Sequence, residues 1–125
     1  MYFNNIEKEI LKQLSEIYTQ EDWEFIKKTN VTTREIILFK YSASCSISYF
    51  VESSFNKWFN SLPDEINLFV IKINVVKSRH LSQMIAKELN IHHESPQAIW
   101  IDKNNHVKWN ASHQGISESD LNEHL

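Results

Sequence analysis

The sequence predicts an α/β protein built as βαβ–α–ββ–α: a four-stranded mixed sheet with helices on both faces, behind an N-terminal helical extension over residues 1–30. Three observations predict it. Two apolar runs, Glu35 to Tyr41 and Asn67 to Val76, fit strands buried on both faces, the second having too many large residues in succession to be one-sided. Between them, Ile47, Phe50, Val51, Phe55, Trp58 and Phe59 recur at helical spacing. Further on, Ala98 to Ile101 and the alternating Val107, Trp109 and Ala111 flank a polar turn, as in a hairpin.

In chain order, Ile6, Ile10, Leu11, Leu14, Ile17 and Tyr18 fall on one side of a helix. Thr19 and Asp22 then resemble the cap of a second, short helix carrying Trp23, Phe25 and Ile26. The first strand is followed by a short polar loop and a helix that stops near Pro63. After the second strand, Ser78 is placed to cap a helix with Leu81, Met84, Ile85 and Leu89 as its buried stripe. Asn104-Asn105 tolerates the left-handed backbone of a tight hairpin. Ser117 and Asp120 open a last helix near the C-terminus. The first two strands should run parallel through a right-handed crossover, which sets the loop after the first strand at the sheet's carboxyl edge.

Composition narrows the function. The 125 residues suit one domain, 1–125, and 42% hydrophobic with 23% charged residues is the balance of a soluble globular chain. A net charge of −3 gives no reason to expect nucleic acid or an anionic membrane as partner. Charges interrupt the N-terminus where a signal peptide would have its apolar core, and no apolar stretch approaches the ~20 residues of a membrane helix. A reducing cytoplasm is the expected compartment. Gly115 is the one glycine, so no Gly-rich phosphate loop or dinucleotide fingerprint is present.

Cys45 is the one cysteine, in Lys40-Tyr41-Ser42-Ala43-Ser44-Cys45-Ser46-Ile47-Ser48. It falls in the first turn of the expected helix, where unpaired N–H groups and the helix dipole favour a thiolate, the form that attacks disulfides. Lys40 is the best placed cation by sequence, and Ser44 or Ser48 is placed to donate a hydrogen bond to the sulfur. The competing readings are a small buried hydrophobe for Cys45 and a solvated strand end for Lys40. Ser48 occupies the second position of a dithiol motif, so Cys45 cannot be resolved internally. His92, His93 and His113 lack the spacing of a metal site and read as loop-surface residues. The four tryptophans read as core or rim packing.

The element order, a helix-start cysteine and a proline opening the third strand together resemble the thioredoxin fold. Phe39 to Ser48, His93-Glu94-Ser95-Pro96-Gln97 and Val107 to His113 resemble the monothiol bacilliredoxins, in the same order and spacing over roughly residues 20 to 120. The resemblance implies a thiol–disulfide oxidoreductase that takes bacillithiol from S-thiolated cytosolic proteins onto Cys45. Bacillithiol would be both the group removed and the resolving co-substrate, with no tightly bound cofactor and no metal. It also implies a cis Ser95-Pro96 bond in a substrate-binding loop, with His93 near Cys45. The family commonly has proline after the cysteine. Ser46 stands there instead, restoring an N–H close to the sulfur and loosening the turn. Two alternatives stay open: an iron–sulfur-binding monothiol glutaredoxin-like module, and a partner-binding relic with an inert Cys45.

Overall fold

The computed structural model describes residues 11–30 and 33–125. Along the chain, β1 (Gln13–Glu16) and α1 (Gln20–Asn30) precede β2 (Glu35–Tyr41), α2 (Ser46–Ser61), β3 (Leu68–Asn74) and α3 (Arg79–Leu89). The chain continues through β4 (Gln97–Ile101), β5 (Val107–Ser112), a 3-10 turn at His113–Gly115 and α4 (Glu118–Glu123). Among the described residues the sheet has five strands, ordered β1-β3-β2-β4-β5, one more than the sequence predicts. The first three in that order run parallel, and β4 and β5 are each antiparallel to their neighbours.

The extra strand comes from a segment expected to be helical. Ile6 and Ile10 of the expected stripe lie outside the described residues. Leu14, however, sits in β1 opposite Val70, and the Ile17 N–H donates to the Lys72 carbonyl at 3.1 Å. Leu14 and Tyr18 are 43% and 54% exposed while Ile17 is buried, so the expected stripe does not form one buried face. Pairing with β3 gives the segment backbone partners that β3 would otherwise lack on that side.

The short helix behaves as its cap predicts. Thr19 Oγ1 accepts from the Asp22 N–H at 3.1 Å, and Asp22 Oδ2 accepts from the Thr19 and Tyr18 N–H groups at 3.2 and 3.0 Å. Trp23 and Ile26 are buried, whereas Phe25 is 67% exposed.

Strand alternation divides the interior into two layers. Ile36, Leu38, Ile71, Ile73 and Ile99 pack with Trp23 and Ile26 of α1 and with Leu81 and Ile85 of α3. On the other face Ile37, Phe39, Val70 and Trp100 meet Phe55, Trp58 and Phe59 of α2 and Leu121 of α4. Phe39 stacks on Phe55 with centroids 4.4 Å apart, fixing α2 against the strand that feeds it. Each such side chain contributes roughly 1.5–3 kcal/mol by its burial. The apolar face of α2 is narrower than its spacing suggests: Ile47 and Phe50 are 46% and 69% exposed. The helix ends at Leu62 in extended backbone, as the following Pro63 requires.

Ser78 is the N-cap residue of α3 but its side chain makes no capping bond, whereas Ser117 Oγ accepts from the Asp120 N–H at the start of α4. Asn105 takes the left-handed backbone of the hairpin turn, at φ 66°. No helix among the described residues is long and apolar enough to cross a membrane. One pairing positions the site: Lys40, near the end of β2, lies opposite Gln97, the first residue of β4. The loops leaving β2 and entering β4 therefore share one edge of the sheet.

Candidate active site

Cys45 is the N-cap residue of α2, one position before the first turn. Its backbone is extended, at φ −110° and ψ 124°, and its carbonyl accepts from the Tyr49 N–H at 3.0 Å. The side chain is half-buried and unpaired with any other cysteine. The first turn of α2 contains no acidic residue, so no like charge stands beside the sulfur there. Among the described residues none forms a hydrogen bond with Cys45 Sγ.

The expected thiol neighbours have other partners. Ser48 is fully buried, and its hydroxyl accepts from the Ser42 N–H at 2.9 Å. It thereby ties the start of the loop to the helix that follows. Ser44 Oγ lies 3.3 Å from Ser42 Oγ, and Ser46 is the exposed first residue of α2. Lys40 is fully buried and its side chain runs to the α3 side of the sheet. There Nζ donates to the Ser82 carbonyl at 3.0 Å and lies 3.4 Å from His93 Nδ1. Burial pushes the Lys40 ammonium down to about 8. His93 is half-buried, with Nδ1 also 3.3 Å from Ser82 Oγ. Burial, then the Lys40 charge, hold its imidazole below the ordinary value.

The loop entering β4 completes the edge. The Ser95–Pro96 peptide is cis, and the Pro96 carbonyl accepts from the His113 N–H at 2.9 Å. His113 has φ 54°, an uncommon conformation for a residue other than glycine. Its ring reaches Glu94 at 3.5 Å, and Glu94 also lies 3.9 Å from His92. Gln97 Nε2 donates to the His92 carbonyl at 3.0 Å, while Ser95 Oγ and Gln97 Oε1 are buried without a partner among the described residues. Among the described residues no group of three His, Cys, Asp or Glu side chains could hold a metal ion.

Two polar networks were not expected. Ser82 sits on the buried stripe of α3, where a serine among apolar positions is the signal that would have found it. On the α2 side, Lys72 Nζ reaches Glu52 at 2.7 Å and Asn56 at 2.6 Å. Nearby, the Tyr41 hydroxyl donates to Glu16 at 2.7 Å. Burial, then Glu16 and Glu52, raise the Tyr41 phenol above its ordinary range. The signal for Lys72 was a lysine inside the apolar run 67–76.

A family profile described as monothiol bacilliredoxin BrxC matches residues 15–121. The chain belongs to the monothiol bacilliredoxin family. A solved structure described as a putative oxidoreductase with a thioredoxin fold is similar at TM-score 0.71 and 27% identity, over 88% of this chain and 91% of that one. Schistosoma mansoni thioredoxin matches at TM-score 0.66 and 18% identity, over 90% and 93% of the two chains. Thioredoxin f from spinach chloroplast matches at 0.64 and 16%, over 94% and 95%. The last two share the fold. The chain thus joins the bacilliredoxin family match to a thioredoxin-like fold, with its one cysteine at the start of α2.

Proposed function

We propose that the protein is a monothiol thiol–disulfide oxidoreductase that removes bacillithiol from S-bacillithiolated cytosolic proteins through a Cys45 mixed disulfide. The observation that carries the reading is Cys45 as the N-cap of α2 within the bacilliredoxin match, with Ser48 where a resolving thiol would stand.

The Cys45 thiolate attacks the bacillithiol sulfur of the protein–bacillithiol disulfide. A Cys45–bacillithiol bond forms as the protein–bacillithiol bond breaks, and the protein cysteine leaves as a thiolate that takes a proton from water. The thiolate of a second bacillithiol then attacks the bacillithiol sulfur on Cys45. Bacillithiol disulfide forms and the Cys45 thiolate returns. In net, the sulfur of the second bacillithiol is oxidised as the protein cysteine is reduced, while the first bacillithiol sulfur passes between disulfides at one oxidation level. The Ser95–Pro96 loop, with His93, receives the segment around the incoming disulfide. The serines at 44, 46 and 48 act as supports of the thiol loop, and Lys40 as a support of the loop that carries His93, rather than as reactants.

Mass spectrometry of the protein incubated with an S-bacillithiolated substrate tests this. One bacillithiol adduct on Cys45 is expected, and Cys45→Ser abolishes it. Absence of the adduct at neutral pH overturns the reading.

A further inference from the structure

The contact between Lys40, His93 and Ser82 lies apart from the sulfur and restricts His93 in a definite way. An ammonium only donates, so Lys40 Nζ at 3.4 Å calls for an unprotonated Nδ1. Ser82 Oγ, 3.3 Å from the same nitrogen, has a hydroxyl proton able to donate there as well. A neutral imidazole so held carries its proton on Nε2, on the far side of the ring, where no acceptor is found among the described residues. Lys40 is itself fixed, being fully buried and bonded to the Ser82 carbonyl at 3.0 Å. The other charged groups acting on His93 are Arg79 from α3 and His92 and Glu94 from its own loop.

We propose that Lys40 is a positioning residue: with Ser82 it holds His93 as the neutral Nε2–H tautomer, so that the loop beside the Cys45 loop offers a hydrogen-bond donor to a bound disulfide. The inference rests on the thiol-exchange reading above. As the S–S bond breaks, negative charge develops on the departing sulfur, and an oriented N–H stabilises it there. His93 keeps its proton throughout, and the leaving thiolate is protonated by water. A buried lysine suits this task because its fixed charge dictates the tautomer from the Nδ1 side of the ring.

Two measurements on the full chain test the proposal. Long-range proton–nitrogen spectra of the histidine rings, with His93 assigned by its loss in His93→Gln, read the tautomer of the reduced protein at pH 7. The Nε2–H form is expected, moving toward a tautomer mixture in Lys40→Met. An Nδ1–H form or an imidazolium in the unsubstituted protein overturns the proposal. The second measurement is the rate at which bacillithiol disulfide thiolates Cys45. His93→Leu should slow it about ten-fold, whereas His93→Gln, which accepts through its oxygen and donates through its nitrogen, should stay within about three-fold. Equal losses in both variants would mean that His93 only packs, and would overturn the assignment. If Lys40→Met does not fold, the glutamine–leucine contrast and the tautomer still decide. If the unsubstituted protein takes up no bacillithiol, the proposed function fails, and the tautomer alone upholds or overturns the link from Lys40 to His93.

Discussion

Ser48 accepts a hydrogen bond from the Ser42 backbone N–H at 2.9 Å, across the loop that carries Cys45. The second position of the dithiol spacing that Cys45 opens is here a buried clasp. Ser48→Ala would leave a backbone donor of that loop without its partner. We expect a loss of about 1–2 kcal/mol in denaturant unfolding. A stability equal to that of the unsubstituted protein would mean that water replaces the hydroxyl.

Lys72 and Glu52 form a mostly buried ion pair at 2.7 Å that ties α2 to the centre of the sheet. Glu52→Leu strands the ammonium with Asn56 as its remaining hydrogen-bond partner and should cost about 2–4 kcal/mol. Replacing both ends, as Lys72→Met with Glu52→Leu, should cost less than the single change, because no buried charge is left behind. A double-mutant cycle in urea reads the difference.

Lys40 gives stability a definite pH dependence. Its folded value of about 8 lies below the ordinary 10.5, so between them the unfolded chain holds the proton and the folded chain does not. Stability relative to Lys40→Met should therefore rise with pH across that window, by up to ~3 kcal/mol, and lie at its lowest below pH 8. Taking the difference between the two proteins cancels the other lysines and the phenols. A flat difference from pH 7.5 to 10 would show that Lys40 is better solvated than its burial implies.

Ser46→Pro should be well tolerated. Proline at the first helical position requires extended backbone in the residue before it, and Cys45 already has φ −110° and ψ 124°. A gain of about 0.4–1 kcal/mol is expected from the stiffer unfolded chain. The rate of Cys45 thiolation should change with it, since the N–H at position 46 is lost beside the sulfur. Thermal unfolding and thiolation kinetics separate the two effects.

The sheet centre and the helices on it could be read from the chain because local pattern and tertiary burial agree there. Within runs 35–41 and 67–76, residues 36–40 and 68–73 are buried on both faces of the sheet. Residues 11–18 went the other way. Leu14, Ile17 and Tyr18 suit a helical period, but the open side of β3, more than fifty residues downstream, supplies backbone partners that a local pattern does not show. Ile47 and Phe50 follow the period of α2 yet stay exposed, while Ser48 in the same stretch is fully buried, so the period alone does not mark which residues the sheet covers.

The same division runs through the site. Sequence was enough to single out Cys45, its helix start, the one-thiol limit set by Ser48 and the Ser95-Pro96 loop, because each is a residue type in a local context. Which groups face one another was decided only by tertiary structure. Lys40, Ser82 and His93 are far apart along the chain, and meet because β4 pairs antiparallel with β2 while α3 packs across that face. A buried charge takes whatever partner the packed layers bring within about 3 Å, and spacing along one chain carries no record of that choice.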